Sequence, residues 1–194
     1  FLNIKFISGV FALFVIGGVL LFSQMQTTTD CSPVELGGDF SVRTLEGDIS
    51  LSDFNDQLVV LYFGYTSCPD VCPTSLTTMR FAFAELSKTE LEKVQGLFIS
   101  VDPDRDSLEH LATYAQFFSP NIIGASGTKQ QIDQAVANFG AYYRLVDQSD
   151  SAMDYTVDHS SKIYLIGPDT QLIKALPHSS SPSELASLIK TNLP

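Results

Sequence analysis

Two apolar runs, Leu58 to Tyr65 and Leu97 to Val101, bracket a segment in which Leu76, Met79, Phe83 and Leu86 recur at helical spacing. A strand that is apolar on both faces is stable only when both faces are covered, which is the condition of a buried parallel strand. Parallel neighbours need a crossover, and the helical stretch Ser75 to Ser87 supplies one, so the three pieces predict a β-α-β unit. The flanking segments extend it. Alternation in Phe40 to Leu45 and Ile49 to Leu51, around Glu46-Gly47-Asp48, predicts a β-hairpin. Ser107 to Phe118 and Thr128 to Tyr142 read as helices, with Asn121 to Gly124 as a short strand between them. Ile163 to Ile166 and Gln171 to Ala175 flank the turn Gly167-Pro168-Asp169-Thr170 as antiparallel strands. Ser183 to Asn192 closes the chain as a helix, started by Pro182 and capped by Ser181 or Ser183.

This order of elements gives an α/β, thioredoxin-like fold, a mixed central sheet flanked by helices. At 194 residues, 44% of them hydrophobic, the chain suits one such domain plus an appendage. The appendage is Phe6 to Phe22, an uncharged run of Phe, Leu, Val, Ile, Gly, Ala and one Ser, near the length that crosses a bilayer. The following Ser23-Gln24-Met25-Gln26 is unlike a small-residue cleavage site, so an uncleaved N-terminal transmembrane helix is expected. We therefore read residues 1–23 as a transmembrane signal anchor, 24–36 as a Thr-, Gln- and Ser-rich linker, and 37–194 as the folded domain.

Lys5 precedes the apolar run and no basic residue follows it before Arg43, which puts the domain on the outer side of the membrane. With no Arg-rich, acid-poor presequence, a bacterial plasma membrane with a periplasmic domain is preferred to a mitochondrial inner membrane. A formal net charge of -11 argues against a nucleic-acid partner, because binding a polyanion relies on Lys and Arg.

Chemistry enters in Ser67-Cys68-Pro69-Asp70-Val71-Cys72-Pro73, directly after the first apolar strand. Ligands of open α/β sheets bind at the carboxyl ends of the strands, where this segment emerges. If Pro69 opens a helix, Cys68 and Cys72 fall at i and i+4 on one face, and Cys68 sits at the helix N-terminus, where the dipole favours thiolate. Among the three histidines, His159 stands in the loop Val157-Asp158-His159-Ser160-Ser161, just before a core strand, and is placed to approach the cysteines. Its plainer reading is a loop histidine bonded to Asp158. His110 and His178 read as surface residues. Two thiolates and an imidazole are a soft, low-coordinate set that suits Cu(I) better than zinc, which prefers a fourth ligand.

Other residues take blander readings. The loop Asp102-Pro103-Asp104-Arg105-Asp106 emerges on the same sheet edge, yet its carboxylates read as helix caps in a solvated turn. Met79 reads as core. Cys31 reads as a linker residue, with an intermolecular disulfide as its alternative.

Gly64-Tyr65-Thr66-Ser67-Cys68-Pro69-Asp70-Val71-Cys72-Pro73-Thr74, with Ser100-Val101-Asp102-Pro103 and Val157-Asp158-His159-Ser160-Ser161, resembles the Sco/SenC family. The likeness covers the chain from about Phe40 onward. It implies a membrane-anchored copper chaperone that delivers copper to the binuclear site of cytochrome c oxidase subunit II, supplied by an upstream copper donor or thiol reductant. It also implies Cys68, Cys72 and His159 as ligands of copper, as Cu(I) with Cu(II) left open, and a cysteine pair that cycles between dithiol and disulfide. Ser67, Gly167 and Thr170 depart from frequent residues of the family, His, Asp and Gly in turn; threonine tolerates a positive φ poorly. The competing class is an enzyme, a thiol-disulfide oxidoreductase or thiol peroxidase using the Cys68/Cys72 pair, although C-x-x-C is the commoner oxidoreductase spacing.

Overall fold

The computed structural model describes residues 36–147 and 154–194. The expected anchor, residues 1–23, lies outside the described residues, as do all of the expected linker except Leu36, and Cys31 with it. Among the described residues no helix is long and apolar enough to cross a membrane.

In chain order the elements are β1 (Ser41–Thr44), β2 (Gly47–Ser50), a 3-10 turn (Leu51–Phe54), β3 (Leu58–Gly64), α1 (Val71–Ala84), α2 (Lys88–Leu91) and β4 (Val94–Ser100). There follow α3 (Leu108–Phe118), β5 (Ile122–Ala125), α4 (Lys129–Asn138), β6 (Tyr143–Asp147), β7 (Tyr155–His159), β8 (Lys162–Ile166), β9 (Leu172–Pro177) and α5 (Pro182–Asn192). The central sheet has the order β5-β4-β3-β8-β9. Strands β3, β4 and β5 run parallel, with Leu61 level with Leu97 and Leu97 with Ile123, while β8 and β9 are antiparallel additions. This is the mixed, helix-flanked sheet that the apolar runs predict.

Strand β3 lies at the centre and every residue in it is buried, which is why its sequence shows no alternation. Tyr62 stacks near Phe98 and Phe63 meets Tyr164 edge-on, so aromatic rings fill both sides of the strand. Met79 is fully buried, as a core residue should be. Truncating a large aliphatic side chain in such a setting costs about 2–5 kcal/mol, so β3 is a rigid platform for whatever follows its carboxyl end.

Helix entries follow their caps. Ser107, Thr128 and Ser181 accept from the backbone amides of His110, Gln131 and Glu184, and Pro182 occupies the first turn of α5. Three expectations need correction. Helix α1 starts at Val71, not Ser75, and so includes Cys72 and Pro73; a proline in the first turn removes an amide that has no intrahelical partner anyway. Helix α4 stops at Asn138, not Tyr142, where Gly140 takes a φ of 58° and turns the chain into β6. The β6–β7 hairpin is absent from the sequence reading because, of its residues, only Val157 is buried and the rest are half-buried or exposed, so period-two patterning is faint.

The turn between β8 and β9 holds Thr170 at φ 64°, the left-handed region that a β-branched residue enters only at a cost. The amide of Thr170 donates to the Gly167 carbonyl at 2.9 Å, and its own carbonyl accepts from Gly38 at 2.9 Å, so neighbouring bonds hold the strained conformation in place. Thr170→Gly is expected to stabilise the fold by about 0.5–1 kcal/mol in urea unfolding, after allowing for the extra freedom of glycine in the unfolded chain. An unchanged or lower midpoint would show that the turn carries no strain.

Candidate metal centre

The chain leaves β3 at Gly64 and passes through Tyr65, Thr66 and Ser67 before reaching Cys68, whose amide donates to the Tyr65 carbonyl at 3.3 Å. Pro69 does not open the helix. Asp70 is the N-cap and Cys72 the second residue of α1, so Cys68 stands before the helix and the two sulfurs are not a helical i, i+4 pair. They meet because the loop folds back over the helix start. The expected helix-terminus effect survives in another form: the amides of Asp70 and Cys72 are directed at the Cys68 sulfur.

Cys72 has no exposed surface. Its sulfur rests on the backbone of Gly64, where an added Cβ would lie 2.7 Å from Cys72 Sγ and 2.9 Å from the Phe98 ring. Only a residue without a side chain leaves that space. Ser75 Oγ donates to the Val71 carbonyl at 2.8 Å, and the Tyr62 hydroxyl approaches the same carbonyl at 3.4 Å, which fixes the first turn of α1 against β3.

His159 is the last residue of β7, level with Tyr143 on β6, rather than a loop residue. Its Nε2 lies 3.4 Å from Cys72 Sγ and its Nδ1 3.2 Å from the Ser160 carbonyl. A proton on Nδ1, donated to that carbonyl, would leave the Nε2 lone pair free for a metal. Tyr62 and Tyr65 hold the ring edge-to-face, with centroids 6.0 and 5.8 Å away. The donor atoms of Cys68, Cys72 and His159 all lie within 4.8 Å of one another. The plainer reading of His159 fails, because Asp158 pairs with Arg144 Nη2 at 2.7 Å. His110, exposed on α3, stacks on Tyr114, and His178 Nδ1 lies 3.3 Å from Ser161 Oγ, so neither joins the trio.

A cleft of about 330 Å³ opens onto this group, with Cys68, His159, Tyr65, Asp70 and Asp158 among its walls. Cys68 lines the cleft while Cys72 lies beneath it, and their protonation differs accordingly. The Cys72 thiol donates to Cys68 and holds it down at about 4, against the opposing effect of burial, with His159 and the two amides helping. Cys72 is pushed far up by that same bond to Cys68, by burial and by the neighbouring negative charge. The pair thus shares one proton and one charge. Burial also raises the nearby Tyr62 and Tyr114 hydroxyls, so both stay neutral donors.

The Asp102–Asp106 loop is solvated only at its tip, Pro103 and Asp104, and buries its two end carboxylates. Asp102 and Asp106 are only 2% and 3% exposed. Asp106 accepts from the Thr66 amide at 3.0 Å and from the hydroxyls of Thr66 and Ser100. Asp102 accepts from Arg105 Nε and, at 2.8 Å, from the Tyr155 hydroxyl. Alternating Asp residues in a loop usually signal caps; besides the nearby Ser100 of β4 and Arg105, the donors that bury these two are Tyr155 of β7 and Thr66 of the cysteine loop, far away in sequence.

Two outcomes follow from this geometry. Because the Cys68 pKa is depressed, the reduced, metal-free protein should show one thiolate per chain by ultraviolet absorbance at neutral pH, lost only as pH falls toward about 4. Cys72→Ala removes the largest cause and should move that titration up toward the free-cysteine value of about 8.5; an unmoved curve would refute the shared proton. Gly64→Ala should displace the Cys72 sulfur and raise the alkylation rate of Cys72 in the folded protein, whereas an unchanged rate would show that the strand gives way instead.

A sequence model described as SCO1/SenC matches residues 29–193. The human mitochondrial SCO1 homolog is 39% identical over 160 residues, covering 81% of this chain, and this chain spans about half (53%) of that relative's length. An SCO2-like protein of Rickettsia felis is 38% identical over 160 residues, covering 82% of this chain and 78% of the relative. Among solved structures, Bradyrhizobium japonicum ScoI with copper bound superposes with a TM-score of 0.73 at 32% identity, covering 81% of this chain and 99% of that one. The resemblance in the three sequence segments, the fold and these relatives agree: the chain belongs to the SCO1/SenC family.

Proposed function

We propose that this chain is a membrane-tethered copper metallochaperone, whose residues 37–194 carry copper on Cys68, Cys72 and His159 and deliver it to the binuclear copper site of cytochrome c oxidase subunit II. The observation that carries the reading is the convergence of two sulfurs and one imidazole nitrogen within 4.8 Å at the edge of a cleft. The donor set fits the metal: it is soft, contains no carboxylate, and offers three ligands, a complete shell for Cu(I) where zinc would add a fourth. The copper held by the Bradyrhizobium japonicum relative supports the same choice. Delivery to subunit II, supply by an upstream donor or thiol reductant, and a periplasmic location rest on the Sco/SenC resemblance and on the apolar run Phe6 to Phe22 behind its single lysine.

Each residue has a distinct task. Cys68, deprotonated and lining the cleft, is the first sulfur that an acceptor meets. Cys72 gives up its proton when the cargo is held and forms the closed floor of the site. His159 presents Nε2 from a separate strand. Release proceeds by ligand exchange, in which a thiolate of the acceptor replaces one donor at a time, so no fully stripped ion enters solution.

Anaerobic Cu(I) titration of the reduced full chain in detergent tests the reading. One tightly held copper per chain is expected, abolished by Cys68→Ser or Cys72→Ser and weakened at least about tenfold, or 1.4 kcal/mol, by His159→Ala. Failure of the reduced parent to bind Cu(I) overturns the proposal. The lowered Cys68 pKa also suits thiol-disulfide exchange, and brisk metal-free turnover of disulfides or peroxide would favour that second reading.

A further inference from the structure

Strands β6 and β7 pair with each other and with no strand of the central sheet among the described residues, so no backbone ladder fixes the strand of His159 to the platform that carries the cysteines. Beyond the two-residue link Ser160-Ser161 to β8, the approach of the imidazole to the sulfurs is set by side chains, and Arg105 stands at the junction. Its guanidinium lies 3.8 Å from the centre of the Tyr155 ring on β7 and 5.6 Å from that of Tyr65 in the cysteine loop. Its Nη1 donates to the Tyr155 carbonyl at 3.0 Å. Asp102 orients this group from behind: one carboxylate oxygen takes Arg105 Nε and the other takes the Tyr155 hydroxyl. Tyr65 in turn packs edge-on against His159, and its hydroxyl lies 3.0 Å from Thr156 Oγ1 on β7.

The other end of the same loop holds the other half of the site. Asp106 binds the amide and hydroxyl of Thr66, two residues before the cysteine segment proper, and the Ser100 hydroxyl at the end of β4. One loop therefore grips both the strand that brings the imidazole and the segment that brings the thiols. A planar guanidinium placed over an aromatic face, with separate nitrogens directed to a carboxylate and a carbonyl, is a task that lysine cannot perform.

We infer that Asp102, Arg105 and Tyr155 form a clamp that sets the position of His159 against Cys68 and Cys72, which makes Arg105 a positioning residue for the imidazole. The inference rests on the copper reading above and adds residues that never touch the metal. If the clamp acts through His159, its loss matters only while His159 is present; if it merely supports the fold, its loss is indifferent to residue 159.

The test is a set of double-mutant cycles read by Cu(I) affinity, using the reduced full chain in detergent and Cu(I) in competition with a chromogenic chelator. Arg105→Lys, Asp102→Asn and Tyr155→Phe are each measured alone and combined with His159→Ala. Each single variant should lose about tenfold or more in affinity, the range of partners that orient a metal ligand, and none should lose more once His159 is alanine. Tyr155→Phe removes one hydroxyl and keeps the experiment decisive if the charged variants fail to fold. The thiolate absorbance of the metal-free protein should stay at the parental level throughout, a readout that general loosening of the site would move. Parental affinity in the single variants, or losses that multiply with His159→Ala, overturns the clamp and leaves the copper site standing. A parent that binds no Cu(I), or binds it without regard to His159, overturns the ligand set and the clamp together.

Discussion

The contact between the Cys72 sulfur and the backbone of Gly64 governs the arrangement of everything around it. With the sulfur on the central strand, α1 has to begin at Val71, one residue earlier, and the remaining loop from Tyr65 to Asp70 has to carry Cys68 back over the helix start. Sulfur as a thiol is at ease there, because cysteine packs as a small hydrophobe. Sulfur as a thiolate is not, since burial penalises the charged form. The negative charge therefore settles on Cys68, where two backbone amides and the Cys72 thiol donate to it beside the cleft. Two cysteines of identical chemistry acquire different states from their places relative to β3.

The same constraint decides from where a third donor can come. The Cys72 sulfur is closed off by Gly64 and Phe98 on the strand side and by α1 itself, so the side toward the β6–β7 ribbon is the direction from which His159 reaches it. Tyr62 and Tyr65, both immediate neighbours of the strand end, then become the walls of the imidazole slot. A parallel strand that was selected for burial thus supplies the platform, the floor of the site and half of its aromatic lining.

What the sequence made legible follows from how far each signal reaches. Buried strands such as β3 and β4 declare themselves by composition alone, and the helix caps by residues within one turn, so β3 is legible to within one residue and β4 in all but its first three. The thiols were found because cysteine is rare and chemically explicit. The start of α1 is read late because the apolar spacing that marks the helix, Leu76, Met79 and Phe83, begins only in its second turn. The ribbon of His159 was missed because it buries little beyond Val157. The burial of Asp102 and Asp106 was misread because their donors, Tyr155 and Thr66, stand 53 and 40 residues away along the chain. Local patterns identify elements; a carboxylate bound by distant donors looks, in sequence, like any exposed loop acid.

A site that gives up a metal differs from one that keeps it, and the division of these three donors fits the release proposed above. A closed tetrahedral site on one rigid element would hold its metal with every ligand pre-placed and none free to leave alone. Here the donors belong to three separately supported pieces: a loop, the first turn of a helix, and the end of a two-stranded ribbon. Each is fixed by its own contacts, Cys68 by backbone amides, Cys72 by Gly64, and His159 by its tyrosines and the Ser160 carbonyl. Losing one bond to the metal therefore does not require the other two to move. Cys68, the sulfur that lines the cleft, is also the one whose leaving form is stabilised, because its thiolate returns to the amides of Asp70 and Cys72. Under the proposed delivery, exchange of one donor at a time needs no concerted movement of the three pieces, which is the physical condition for passing a tightly held ion between two proteins without freeing it.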